Sequence, residues 1–427
     1  MSSAKPVVVS IIGGTIWGNR GAESMLVTVI GKLRNTIPDI RFNVFSYYPS
    51  KDRELVKDDA ITILSGKPLS LITRHFIGAL LLSILKKVGA KPPEGKFFKV
   101  ACALNESEIL LDIGGITFSD GREKYLPYNI LTIWPAMLLH VPVVKMAQAV
   151  GPFKHSINRL CAKIFLFRCE HIFARGERTA EFLRELGFPE DRFETVADIA
   201  FLYQQEFSLS SENSHRVDEL IEKMRAQKKD GKKVLVISPS VLVEEESRKK
   251  GVDYANRSFQ MMIKLGADEH FFVFLPNATR QFSEKSHNND LLVIEAMKRK
   301  AAEGALPSSM MSMVEWVNYD LNSASIRRII SESHALITSR YHAMISGLSL
   351  CVPTIVIGWG HKYSETMSYF GLELYSLDFG NEEISLEELA ADILTKSDAI
   401  RRKIRSRLPS IQSLANSQFE YLMRILV

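Results

Sequence analysis

The chain has 427 residues, 46% of them hydrophobic and 24% charged, with a formal net charge of +5. That length exceeds one ordinary core, so two domains are expected, and the composition excludes a fibrous or disordered protein. The mild basic excess suits phosphorylated or carboxylated ligands and is too weak to imply nucleic acid, for which the chain also carries no signature motif.

In chain order, "PVVVSIIGG" (Pro6 to Gly14) reads as a buried strand ending in glycines, and "GAESMLVTVIGKLRNTIP" as the helix after it. "IRFNVFSYYP" is the next strand. "FIGALLLSIL" (Phe76 to Leu85) is an apolar helical window about half a bilayer span in length. Flanked by Arg74, His75, Lys86 and Lys87, it is either a buried helix with snorkelling lysines or a peripheral contact with an anionic membrane surface. "EILLDIGG" is a strand, followed by a polar-aromatic loop, the helix "YNILTIWPAMLLH" and the strand "VPVVKMAQAVGP". "HSINRLCAKIFLFRCE" is helical, "HIFARGE" a strand, and "RTAEFLRELGF" a helix closed by Gly187. Near Gln204 to Val217 the composition turns serine-rich and polar, which marks an interdomain linker. Alternation then resumes with a helix, "KKVLVISPS", "HFFVFLPN", a helix near Ser323 to Ser333, "HALITSR" and "VPTIVIGW".

Continuous apolar strands separated by helices mean parallel sheets covered on both faces. The fold class is therefore α/β, with two Rossmann-like domains, residues 1–205 and 206–427, facing across a cleft. Ligands in such sheets sit beyond the carboxyl ends of strands, at the point where strand order reverses. That rule gathers Gly13–Gly21, Asp112–Gly121, Gln148–Pro152, Arg175–Thr179, Ser339–His342 and Gly360–Glu365 around one site. The four cysteines lack CxxC spacing and lie among apolar neighbours, so they read as reduced core thiols. The N-terminal apolar run is too short for a signal peptide, and a cytoplasmic location is expected.

"GGTIWGNRGAESML" is a glycine-rich turn opening a helix, with Gly14, Asn19, Gly21 and Glu23 as anion-loop or acceptor candidates. It matches neither the dinucleotide nor the Walker pattern, and a ligand-free tight turn would look the same. "DIGGITFSDGREKY" supplies Gly114, Gly115 and Asp120 within a mix of hydroxyls, carboxylates and rings of the kind that binds sugars, or that any exposed loop contains. Arg175 follows an apolar strand directly, where its fork can hold phosphate or carboxylate. "SRYHAM" is the sharpest signal, because a histidine at a strand end titrates near neutrality and can donate a proton. Arg340 stands two residues before His342, and "GHKYSE" adds Lys362 as a point charge. No DxD, HExxH or Cys/His cluster points to a metal, and no cofactor fingerprint is present.

Taken in order, "WGNRGAESML", "LLDIGGITFSD", "VPVVKMAQAVGP", "FARGERTAEFLRELGF", "VADIAFLY" and "SRYHAMISGLSLCVPTIVIGWGHKYSE" resemble the polysaccharide pyruvyl transferase family from about Pro6 to about Gly371. The resemblance implies a GT-B-like fold, phosphoenolpyruvate as donor substrate, and pyruvyl transfer to a sugar of a polysaccharide or glycolipid precursor, often as a cyclic ketal. It implies donor binding by Arg175, His342 and Lys362. The chain departs from the pattern at Gly21-Ala22, Ile116 and Gly176, where the family carries an acid, a third glycine and an aspartate. Attack by a sugar hydroxyl on C2 of phosphoenolpyruvate requires protonation of C3, a task for His342, while Arg175, Arg340 and Lys362 would neutralise the anion. Asp120 and Glu23 are the acids within the motifs that offer a base. A nucleotide-sugar glycosyltransferase and a catalytically silent glycan binder fit the same architecture. The C-terminal "SIQSLANSQFEYLMRIL" is amphipathic and would cross back to the first domain by analogy with GT-B proteins.

Overall fold

A computed structural model describes residues 6–204, 213–280, 288–358, 361–380 and 384–427. Most of the linker stretch, Gly360 and the His361 side chain lie outside the described residues. The chain divides into two units, each with its own parallel sheet. The first holds residues through Trp17, Ala22 through 204, and Gln412–Val427; the second holds Gly18–Gly21 and 213 through Ile411. Two short pieces are thus exchanged relative to a single division near residue 205. The helix Ser397–Leu426 begins in the second unit and ends in the first, where Gln418 Nε2 donates to Ala197 O at 3.1 Å.

In the first unit the strands are β1 (Val8–Ile12), β2 (Arg41–Ser46), β3 (Ile61–Ser65), β4 (Ile109–Asp112), β5 (Ile116–Thr117), β6 (Val143–Val150), β7 (His171–Arg175) and β8 (Phe193–Val196). They run in the order β3-β2-β1-β4-β6-β7-β8, with β5 on β6 and every pairing parallel. The apolar runs form these strands because β-branched and aromatic side chains fill a pleat covered on both faces. Ile11, Leu111, Val144 and Ile172 are all fully buried. The chain builds outward through β2 and β3, then returns to the other side of β1, so strand order reverses between β1 and β4.

The second unit has β9 (Lys233–Ser238), β10 (His270–Phe274), β11 (Val314–Trp316), β12 (Ala335–Thr338), β13 (Thr354–Gly358) and β14 (Ser376–Asp378). Their order is β11-β10-β9-β12-β13-β14, again all parallel. Here the reversal lies between β9 and β12. The expected α/β class with two Rossmann-like sheets is what folds.

Two expectations need correction. Only Cys169 is buried; Cys102, Cys161 and Cys351 are half-buried, and all four are free thiols. Burial pushes the Cys169 thiol up to about 12, so it is inert. The helical window at Phe76 is also longer than its apolar core suggests. Helix runs unbroken from Pro68 to Lys87, because His75 Nε2 finds the Ser65 carbonyl at 2.8 Å and so tolerates burial within it.

Candidate functional site

At the β1/β4 reversal of the first unit, two glycine turns meet. Gly13 has φ +86°, and a Cβ added there would lie 2.4 Å from the Gly114 nitrogen, so only glycine lets the turns abut. Gly14 is as tightly held, against the Ile113 side chain. Beneath them Asp112 accepts from Gly114 N–H at 2.9 Å and pairs with Lys145 Nζ at 2.5 Å. Both side chains are fully buried, which is tolerable only because each is paired. Gln148 Nε2 donates to the Asp112 carbonyl at 3.1 Å, and Thr117 Oγ1 donates to Gln148 Oε1 at 2.6 Å. A bulge between Lys145 and Gln148, with Ala147 at φ +46°, aims Gln148 this way.

Arg175, at the end of β7, is buried: it pairs with Asp198 at 2.7 Å and donates to the Gly115 carbonyl at 2.9 Å. It therefore orders the second glycine turn. The loop Thr15–Trp17 is fastened by buried Asp52, which accepts from Ile16 N–H at 3.1 Å, Trp17 N–H at 2.8 Å and Ser46 Oγ at 2.6 Å. Burial pushes the Asp52 carboxyl up, against these hydrogen bonds that hold it down. Asp120 accepts from Lys154 N–H, His155 N–H and Asn158 Nδ2, fastening its loop to the segment that leads into the helix Ser156–Phe165. Among the described residues, Asp120, Glu123 and His155 bring ligand atoms within 4.8 Å of one another. The Asp120–His155 N–H bond and the 2.6 Å His155–Glu123 hydrogen bond account for that grouping. Glu23 is fully buried in the first turn of the helix Arg20–Thr36. A cavity of about 170 Å³ opens nearby, lined by Thr117, Ser119, Arg122, Tyr125, Tyr128 and Asn129 among others.

At the β9/β12 reversal of the second unit the turn is built differently. Ser339 N–H and Thr338 Oγ1 both donate to the Ser238 carbonyl, at 3.0 and 3.1 Å, and two helices start beside it, Val241–Lys249 and Tyr341–Ser349. Helix N-termini present backbone N–H groups and positive dipole ends, the elementary anion cradle. His342 lies in the first turn of the second helix, half-buried. A Cβ on Gly21 would fall 2.2 Å from His342 Nδ1, so the missing side chain makes room for the imidazole. Asn19 Oδ1 accepts from Gly21 N–H at 3.1 Å, and Arg20 pairs with Asp320 at 2.5 Å. These contacts fix Gly18–Gly21 in this unit.

Arg340 does not point at open space. Its guanidinium is forked onto buried Asp290, with Nε at 2.9 and 3.0 Å from the two oxygens and Nη2 also on Oδ1. Asp290 further accepts from Val241, Asn277 and Ala278 N–H groups, so this pair ties three loops together. Lys362 Nζ stands over the Tyr341 and Tyr363 rings, at 5.0 and 5.2 Å, and Tyr363 Oη donates to the Ser339 carbonyl at 3.4 Å. Tyr254 Oη and Ser339 Oγ are 2.7 Å apart.

The structure thus places Gly14, Glu23, Gly114, Gly115, Asp120 and Arg175 in the first unit and Asn19, Gly21, Arg340, His342 and Lys362 in the second. Within the second, Gly21 and His342 touch. Sequence reading missed Lys145, Asp198, Asp290, Arg20 and Asp52. Lys145 could have been found, since a lone lysine inside "VPVVKMAQAV" must be paired if that strand is covered on both faces. Asp198 caps a short helical turn, and Arg20, Asp52 and Asp290 stand in the first turns of helices, with no local pattern to mark them.

A family model described as polysaccharide pyruvyl transferase matches residues 19–361. The amylovoran biosynthesis protein AmsJ of Erwinia amylovora is 19% identical over 381 residues, covering 85% of this chain and 86% of that protein. Among solved structures, the UDP-N-acetylglucosamine 2-epimerase of Neisseria meningitidis bound to UDP-GlcNAc superposes with a TM-score of 0.54 at 13% identity, over 98% of this chain and 99% of that one. HepE of Anabaena in complex with UDP and glucose gives 0.53 at 10% identity, over 96% and 94%. These structural likenesses show the shared fold, α/β with two Rossmann-like sheets. The match over residues 19–361, most of the chain, means that this chain belongs to the polysaccharide pyruvyl transferase family and is a transferase of polysaccharide biosynthesis.

Proposed function

We propose that the chain takes phosphoenolpyruvate as donor and moves its three-carbon unit onto a sugar of a polysaccharide or glycolipid precursor, closing it as a pyruvate ketal. The observation that supports this most is the placement of His342, on the first turn of a helix at the strand reversal, with its ring seated against Gly21. In this reading His342 gives a proton to C3 of phosphoenolpyruvate while a sugar hydroxyl adds to C2 and loses its own proton. The C2–O bond to phosphorus then breaks, inorganic phosphate leaves, and a second hydroxyl of the same sugar adds to C2 with loss of a proton. Lys362 and the helix N–H groups hold the anion, Arg340 acts as a positioning residue through Asp290, and Arg175 orders the Gly115 turn of the first unit. The aromatic and hydroxyl lining near Tyr125 and Tyr128 suits a sugar ring stacking on one side and hydrogen-bonding at its edge.

Calorimetric titration with phosphoenolpyruvate, against UDP, GDP and UDP-sugars, tests the donor. Specific binding of phosphoenolpyruvate is expected, weakened roughly tenfold or more in Lys362→Ala, the loss of one charged hydrogen bond. Binding of a nucleotide sugar alone would replace this reading with glycosyl transfer.

A further inference from the structure

The helix Pro68–Lys87 spans 20 residues and is long and apolar enough to cross a bilayer. One of its faces, however, is built into the first unit. Leu71, Ala79 and Leu82 belong to the core there, and Phe76 packs on Trp134 with ring centroids 4.5 Å apart. Spanning would break these contacts and the His75–Ser65 hydrogen bond, so the helix lies along the unit. Its opposite face should then be polar. Instead Leu69 is 72% exposed, Ile72 46%, Leu80 40%, Ile84 50% and Val88 71%, at spacings that align them in one stripe.

A second helix repeats the pattern. Ser156–Phe165 exposes Ile157 (61%), Leu160 (59%) and Ile164 (41%). Its Phe165 ring lies 5.3 Å from Trp134, the residue that also touches Phe76, so both helices belong to one layer over one core. Charge sets these stripes apart from an ordinary protein contact. From Lys67 to Lys99 the chain has seven lysines and arginines against Glu94 alone, and from Lys154 to Arg168 it has four against no acid. The net charge of the whole chain is only +5, so the remainder is acidic. Beside the first helix, a cavity of about 510 Å³ is lined by Arg53, Arg74, Lys96 and Lys99, with Asp58 and Asp59 also in its wall.

We infer that this face docks the first unit on an anionic phospholipid bilayer, with the two helices lying in the headgroup–acyl boundary and the cations on lipid phosphates. The inference stands independently of the proposed activity. Flotation of the full chain with phosphatidylcholine vesicles, with and without phosphatidylglycerol, tests it. Binding is expected only with the anionic lipid, falling steeply between about 0.1 and about 1 M salt as the Debye length shrinks from ~10 to ~3 Å. Lys86→Ala with Lys87→Ala should weaken binding about fivefold per lysine. Leu80→Ser with Ile84→Ser should weaken it at least about tenfold, since both exposed chains lose their insertion energy. All four positions are exposed, so an unchanged thermal midpoint verifies the fold of each variant. No binding to anionic vesicles at low salt, or equal binding by both variants, overturns the inference. A wild-type dimer that dissociates in Leu80→Ser/Ile84→Ser, without vesicle binding, assigns the face to a second copy and overturns it as well.

Discussion

The strand reversals of the two units solve the same problem in different ways. In each, a buried ion pair lies under the turn: Asp112–Lys145 in the first unit and Asp290–Arg340 in the second. In the first, the pair joins neighbouring strands β4 and β6, and the turns above it are glycines packed backbone to backbone. In the second, the pair joins the turn at Arg340 to the first residue of the helix Asp290–Lys300, and the turn above it opens into a helix whose first residues include His342. One reversal is a rigid, side-chain-poor floor. The other presents a titratable ring at a helix N-terminus. A fold with two near-equal sheets can thus divide its work, because the same buried carboxylate supports either a flat turn or a displayed side chain.

The largest expected effect tests that division directly. His342→Ala should lower turnover by ~10²–10⁴-fold, the usual worth of a positioned general acid, while donor affinity is largely kept. Parallel loss of donor binding with no defect in the chemical step would make the ring a ligand instead. Next come the buried pairs. Asp112→Ala and Asp290→Ala each strand a cation and should cost about 3–5 kcal/mol in urea unfolding. Asp112→Leu combined with Lys145→Met should recover most of that loss, and failure to recover would show that the polar network itself is needed. Arg175→Ala would strand Asp198 in the same way, so Arg175→Lys is the cleaner probe of the donor binding that the family resemblance implies for it.

Gly21→Ala should lower activity more than stability. The new methyl displaces the His342 ring, and a displacement near 1 Å costs on the order of 10²-fold in rate. Stability should fall by about 1–3 kcal/mol from overpacking, offset in part by the better helix propensity of alanine. Unchanged turnover would detach Gly21 from the site. The last effect, spread over a pH window, is acid sensitivity of the first unit. Burial pushes His75 and His171 down to about 4, below their ordinary 6.5. Groups with lowered folded pKa bind more protons when unfolded, so their contribution is full above about 6.5 and is lost as pH falls toward 4. The urea midpoint should drop through that window, and His75→Gln should flatten the drop; the same slope in that variant would locate the titration elsewhere.

Strand and helix order were legible because apolar periodicity is local, and a parallel sheet demands continuous apolar runs. "EILLDIGG" and "HALITSR" carried their strands, their turns and the candidate groups within a few residues. The helix at Pro68 was only half legible, since Arg74 and His75 end its apolar window and only the Ser65 carbonyl explains why buried His75 is tolerated. The candidate site divides along the same line. His342, Arg175 and Lys362 stood out because cationic or titratable groups end apolar strands there. That Arg340 belongs to Asp290, fifty residues away in sequence, could not be read, because ion-pair choice depends on which loops the crossovers bring together.

The sequence by itself determined the α/β class, the strand ends on which chemistry sits, and the glycines that open the turns. These follow from side-chain volume, branching and φ preference, which act between neighbours. Only the tertiary structure decided where strand order reverses, that Gly18–Gly21 folds with the second sheet, and that Gly21 clears space for His342. Such contacts join residues hundreds of positions apart, and they are selected by packing and buried-charge pairing, which no local pattern encodes.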